Sequence, residues 1–89
     1  MEQQDSKSIK MSELFIRKFW IDENVLFYLH FINGQAVEQI EVFQDGKKVK
    51  LSLKRKSEDE SFLYDQSINE LELQESDYIT AEEFYKVWD

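Results

Sequence analysis

The chain has 89 residues, enough for one domain built around a single hydrophobic core. Eleven Lys and Arg against 19 Asp and Glu give a formal net charge of −8, which disfavours binding to phosphate backbones or anionic lipid and favours a basic partner. Hydrophobic residues at 42% make the chain too apolar for a disordered acidic tail, so we expect it to fold. The absence of cysteine excludes disulfides and thiolate metal sites.

The sequence predicts a cytoplasmic protein that does not enter a membrane. Its most apolar stretch, Val25 to Ile32, is far shorter than the roughly 20 residues of a membrane helix. The N-terminus lacks the apolar run of a secretory signal. Because residues 1–11 are mainly polar and show no periodicity, we expect a flexible tail there, followed by one domain over residues 12–89.

Four strands are predicted in the first 53 residues. The strongest is Val25 to Ile32, where Val, Phe, Tyr and Ile supply both faces, as expected of a central strand. Short turns between the strands predict an antiparallel meander, because parallel neighbours need crossovers of a dozen or more residues. The predicted strands cover residues 13–21, 25–32, 36–44 and 47–53.

Two turns carry residues that favour left-handed backbone. Asn33 and Gly34 predict a tight hairpin turn, and we expect Asp45 and Gly46 to form a second turn of the same kind. The polar stretch Lys54 to Ser61 predicts an exposed loop.

Residues 62–74 leave two alternatives open. Leu71 and Leu73 alternate with polar residues, as in a short strand, whereas Ser67 and Glu70 have the spacing of a helix capping box. The sequence favours neither.

A C-terminal helix is predicted from its capping signals. Thr80 and Glu83 match a capping box, and Ile79 with Phe84 would complete a hydrophobic staple. An apolar stripe, which ends at Trp88, predicts that the helix packs on one face of the sheet with Trp88 as its anchor. Together these elements predict an α+β domain with an antiparallel sheet of about four strands.

The residue inventory argues against an enzyme. The single histidine, His30, lies within an apolar strand, where a structural role with a hydrogen-bonded neighbour is favoured over general-base chemistry. Gly34 and Gly46 are solitary turn glycines, so there is no phosphate-binding loop. We expect no catalytic residues, no cofactor and no metal.

The acidic excess is confined to the last third of the chain. Residues 1–56 hold 10 basic and 8 acidic side chains, whereas residues 57–89 hold 1 basic and 11 acidic ones. Such a segment would attract a basic protein, although the same acids would also serve simply to solvate loops. The predicted partner-binding residues are Glu58, Asp59, Glu60, Asp65, Glu70, Glu72, Glu75 and Asp77.

A basic run over residues 47–56 precedes this acidic segment. It has no interleaved aromatic side chains for stacking on bases, so we expect no nucleic-acid binding. Lysines on an edge strand discourage pairing with another chain, and the acidic segment is expected to fold back and neutralise them.

Three stretches carry a resemblance: Trp20 and Ile21, Ile40 to Gly46, and Ile79 to Trp88. Together they resemble a family of small, uncharacterised bacterial domains that look like those found beside polymorphic toxins. The likeness extends over most of residues 14–88 but is poor over residues 54–77. It implies an immunity protein that binds and neutralises a cognate toxin, whereas the interface residues above come from charge alone.

The sequence therefore predicts an immunity-type protein that binds a basic toxin, such as a nuclease, through an acidic surface. Two alternatives remain. One is an inhibitor from a phage or mobile element that mimics nucleic acid, and the other is a structural domain that associates through a sheet edge or exposed aromatic residues. The oligomeric state stays open.

Overall fold

The computed structural model describes residues 12–89, and the tail predicted over residues 1–11 lies outside them. The described residues form a five-stranded antiparallel sheet, a separate two-stranded hairpin and a C-terminal helix. The predicted α+β class with an antiparallel sheet is confirmed.

The first four strands form the predicted meander. Each strand pairs antiparallel with the next, so that β2 lies between β1 and β3 and is covered on both faces. A bulge interrupts the β2–β3 register, where His30 pairs with Glu38 while Phe31 pairs with Ala36. These strands are β1 (Glu13–Trp20), β2 (Val25–Ile32), β3 (Gln35–Val42) and β4 (Lys48–Ser52).

The two predicted turns differ from each other. Asn33 and Gly34 have φ values of 53° and 83°, which confirms the tight hairpin turn. At the second turn only Gly46 is left-handed, with φ 90°, so the expectation that Asp45 and Gly46 would repeat the first turn is wrong. The Phe43 N–H donates to the Lys47 carbonyl at 2.9 Å, and this longer loop requires only one left-handed residue.

The polar stretch Lys54 to Ser61 was predicted to be an exposed loop, and this prediction is wrong in part. The stretch contains β5 (Ser57–Glu58) and the start of β6 (Ser61–Phe62), which pair as a small hairpin. Two-residue strands carry no alternation of apolar and polar residues, so the pattern of residues 54–61 could not reveal them.

Residues 62–74 form neither the short strand nor the short α-helix that the sequence left open. After β6 the chain is irregular apart from one 3₁₀ turn at Ile68–Glu70, in which the Ser67 hydroxyl accepts from the Asn69 N–H at 3.1 Å. The Ile68 N–H donates to the Gly34 carbonyl at 3.0 Å, which ties this segment to the β2–β3 turn.

The chain then reaches the opposite face of the sheet. A second 3₁₀ turn (Glu75–Asp77) leads into β7 (Tyr78–Ile79), which pairs with β1 and adds the fifth strand. Helix α1 (Ala81–Trp88) follows, and its Thr80–Glu83 capping box is present as predicted.

Each face of the sheet has its own core. On one face Ile16, Leu29 and Phe31 pack under irregular residues between 63 and 73. On the other, Phe15 and Ile40 pack under α1. Phe84 is the residue of α1 that is fully buried, whereas Trp88 is only partly buried and stacks on it with ring centroids 6.0 Å apart.

The edge-strand lysines have a more specific role than discouraging aggregation. The Lys48 and Lys50 ammonium groups donate to the carbonyls of Val87 and Trp88 at 2.9 and 3.1 Å. At a helix C-terminus, lysine N–H groups can donate to the last carbonyls, and their positive charge interacts favourably with the negative end of the helix dipole. The basic strand therefore helps to hold α1 against the sheet.

The capping box makes the free energy of unfolding depend on pH in the acidic range. The Thr80 backbone N–H, and secondarily its hydroxyl, hold the pKa of the Glu83 carboxyl below its usual range. Because this pKa is lower in the folded state, the stabilisation is present above the ordinary carboxyl pKa of about 4.3 and is lost as pH falls through the folded value.

We therefore expect Glu83→Gln to make the free energy of unfolding less dependent on pH on the acid side. Urea denaturation across a pH series would measure this. Glu82→Gln, a neighbouring exposed position, is the control, and an equal change in both variants would contradict the assignment.

Candidate protein-binding surface

Two depressions adjoin at the end of the sheet that carries the β1–β2 and β3–β4 turns. Both open beside the face covered by residues 57–73 rather than the face covered by α1. They bring acidic side chains from four separate parts of the chain to one end of the molecule.

The larger depression, here the hairpin groove, lies between the sheet and the β5–β6 hairpin and has a volume of about 740 Å³. Four acids and one lysine line it, among apolar residues of β2, of β4, of the β3–β4 loop and of the hairpin. Its lining residues are Glu23, Val25, Phe27, Glu41, Phe43, Lys47, Val49, Asp59, Glu60, Ser61 and Phe62.

The second depression, here the Trp20 cleft, has a volume of about 400 Å³. Its one lysine, Lys18, lies 3.5 Å from the Asp77 carboxylate, which offsets its charge. A smaller pocket shares Trp20 with the cleft and shares Glu23, Phe27 and Phe62 with the hairpin groove. The cleft is lined by Lys18, Phe19, Trp20, Ile21, Asp22, Glu70, Leu71 and Glu72.

Large apolar side chains are exposed along these depressions. Phe19 is 51% exposed, Trp20 36%, Ile21 80% and Phe62 67%. Trp20 is held by an edge-to-face contact with Phe27, whose ring centroid lies 5.8 Å away. Exposed aromatic residues next to charged ones are typical of the anchor positions of protein interfaces.

The structure brings half of the predicted partner-binding residues into these depressions. Asp59 and Glu60 line the hairpin groove, and Glu70 and Glu72 line the Trp20 cleft.

The other four predicted residues line neither depression. Glu58 pairs with Arg55 at 3.2 Å, and Asp77 pairs with Lys18 and accepts from the Gln74 N–H at 2.8 Å. Asp65 and Glu75 are exposed elsewhere. The predicted fold-back of acids onto the basic run is present, since Glu58 meets Arg55 and Asp59 lies 3.9 Å from Lys47.

A buried polar network fixes the wall of the hairpin groove. Gln39 is 1% exposed, and its amide donates to a Glu41 carboxylate oxygen at 2.7 Å and to the Phe62 carbonyl at 2.9 Å. Its amide oxygen accepts from the Tyr64 N–H at 2.7 Å. Ser61 donates its hydroxyl to the other Glu41 oxygen at 2.8 Å. The hairpin therefore gains its position through β3 rather than through its own two-residue strands.

His30 is buried and hydrogen-bonded to neighbouring side chains, as predicted. Its Nδ1 lies 2.8 Å from Glu38 Oε1 and its Nε2 lies 2.7 Å from Glu13 Oε2, while the Phe15 ring stacks on it at 4.2 Å. The Tyr85 hydroxyl donates to Glu38 at 2.5 Å. Burial, and then this hydrogen bond, raise the pKa of the Tyr85 phenol above its usual value. The cluster lies under α1 and fastens the helix to the sheet.

Sequence patterns alone did not single out the apolar part of the candidate surface. Phe19, Trp20 and Ile21 stood at the end of a predicted strand, and Phe62 lay in a segment whose structure the sequence left open. The turn signal at residues 22–24 was the available clue, because side chains beside a turn at the end of a sheet have fewer neighbours to cover them.

Within residues 12–89, no group of three or more His, Asp or Glu side chains is placed to hold a metal ion. No helix in the same residues is long and apolar enough to cross a membrane. Comparisons with protein-family models, with curated proteins and with solved structures gave no significant match.

Proposed function

We propose that this chain is a bacterial, cytoplasmic immunity-type protein that binds a basic toxin, such as a nuclease, and neutralises it. The observation that carries the proposal is the coincidence of exposed apolar side chains with acids at one end of the sheet. Seven acidic side chains and two lysines line the hairpin groove and the Trp20 cleft. The protein acts by covering its partner and has no catalytic role of its own.

The two kinds of side chain have different roles in this proposal. The acids attract a basic partner over a long range and raise the rate of association. Trp20 and Phe62 supply apolar contact area that excludes water once the partner has docked. A surface of acids alone would serve the first role but not the second.

Mixing the protein with the product of the neighbouring gene tests the proposal. We expect a complex that weakens with added salt, and loss of the partner's toxic activity in the complex. The double variant Glu70→Lys with Glu72→Lys should weaken the complex by at least about tenfold, since like charges facing each other across an interface cost several kcal/mol. Titration calorimetry at two salt concentrations measures both effects.

The control is Asp65→Lys with Glu75→Lys. It makes the same change in net charge at exposed acids that line neither depression. If both double variants weaken binding equally, only net charge matters and the proposed surface is wrong. If no complex forms, the immunity function is wrong.

Mimicry of nucleic acid would use the acids but not the apolar side chains. Trp20→Ala therefore separates the two functions, because it should weaken a toxin complex anchored in the Trp20 cleft and leave a mimic's binding unchanged.

A further inference from the structure

We propose that the hairpin groove binds the guanidinium group of an arginine side chain on the partner. This inference rests on the proposed function for its partner class, and it names the chemical group that the partner inserts. It follows from three features: a buried carboxylate, the aromatic side chains beside it, and the negative charge of Asp59 and Glu60 on the hairpin side of the groove.

The carboxylate is that of Glu41, which is only 6% exposed although it lines the groove. Its hydrogen-bond donors are the neutral Gln39 amide and Ser61 hydroxyl. None of the ion pairs formed within residues 12–89 involves Glu41. Among the described residues Glu41 is thus a buried carboxylate without a positive partner, and such a group favours a ligand that supplies one, because burial has already removed most of its water.

The walls beside Glu41 are aromatic. Phe27 comes from β2, Phe43 directly follows β3, and Phe62, which is 67% exposed, comes from the hairpin. A cation that enters the groove would therefore lie among aromatic rings, and cation–π attraction to a ring face would add to the ionic attraction. Asp59 and Glu60 also line the groove on the hairpin side and extend the negative charge.

These features favour arginine over lysine. A guanidinium is planar, stacks on aromatic rings and sheds water more easily than an ammonium group does. It also donates several N–H groups in a fork, which suits Glu41, because each of its carboxylate oxygens accepts one hydrogen bond from the described residues and can accept a second. The single lysine in the groove, Lys47, lies 3.9 Å from Asp59 and is 58% exposed, so it stands at the rim.

The probe is the tripeptide acetyl-Gly-Arg-Gly-amide, titrated into the full chain and followed by ¹H–¹⁵N NMR. We expect saturable shifts at millimolar peptide that are confined to residues lining the hairpin groove. The matching lysine peptide should bind several-fold more weakly, and the citrulline peptide, which is neutral but has the same shape, should not bind.

Glu41→Gln should weaken binding of the arginine peptide by at least about tenfold, the loss expected for a hydrogen bond between charged groups. Because that variant also alters a buried network, Phe62→Ala provides a second test at an exposed position and should weaken binding several-fold. Glu75→Gln is the matched control for charge and should bind normally. Shifts that are diffuse, equal for arginine and lysine, or unchanged in both Glu41→Gln and Phe62→Ala would overturn the inference.

The results of this experiment can be distinguished from those of the test of the proposed function. Loss of peptide binding alongside an intact, salt-sensitive toxin complex would remove the guanidinium site and leave the immunity function. Specific peptide binding without any toxin complex would leave the site and remove that function.

Discussion

Gln39→Met is expected to lower the free energy of unfolding by about 3 kcal/mol, although it preserves the volume of the side chain. The substitution leaves the Phe62 carbonyl and the Tyr64 N–H without their partners and takes one donor from the buried Glu41 carboxylate. Each buried polar group left unsatisfied costs about 1–3 kcal/mol. Urea denaturation gives the change in stability.

Gln44→Met is the control, since it makes the same substitution at an exposed position. Its effect should stay within about 0.5 kcal/mol, as for most surface substitutions. Amide hydrogen exchange adds a local measurement, because the Tyr64 N–H should exchange faster in Gln39→Met than in the wild type. Equal stability of the two variants would mean that the network does not hold the hairpin in place.

The same substitution should affect the candidate site. Gln39 holds the Glu41 carboxylate and the Phe62 carbonyl, and both of these residues line the hairpin groove. We therefore expect Gln39→Met to weaken binding of the arginine peptide even under conditions where the protein stays folded.

Phe84→Ala is expected to destabilise the protein by about 3–5 kcal/mol, the usual result of removing a buried aromatic side chain. Phe84 is fully buried between α1 and the sheet, and its ring lies 5.3 Å from that of Phe15 and 5.8 Å from that of His30. An eight-residue helix has little stability of its own, so α1 depends on this contact.

The loss is comparable with the whole stability of a small domain, so the graded variant Phe84→Leu should be measured beside it. Phe19→Ala is the control, since it removes the same side chain where it is 51% exposed. It should cost far less than Phe84→Ala. A similar melting temperature for Phe84→Ala and Phe19→Ala would contradict the account of how α1 is held.

Much of the sheet could be predicted because its signals are local. The strand Val25 to Ile32 has apolar residues on both faces, which is typical of a central strand, and it is central here. Asn33-Gly34 and the Thr80–Glu83 pair each specify a conformation through groups only a few residues apart. Such signals need no knowledge of distant neighbours.

The segment over residues 54–79 could not be predicted in the same way. Its regular pieces are two or three residues long, and contacts with distant residues hold them, such as Phe62 with Gln39 and Ile68 with Gly34. No hydrophobic period exists at that length. The burial of Gln39 could not be predicted either, because a glutamine in a strand normally indicates a solvent-facing position.

The sequence by itself determined the acidic excess in residues 57–89, the antiparallel meander and the capped helix that covers one face of the sheet. Only the tertiary structure decided which acids stand together. It placed Asp59, Glu60, Glu70 and Glu72 beside Trp20 and Phe62, and it left Asp65 and Glu75 outside. The reason is physical. Charge along a chain depends on residue type alone, whereas a binding surface depends on distances that packing and buried hydrogen bonds set.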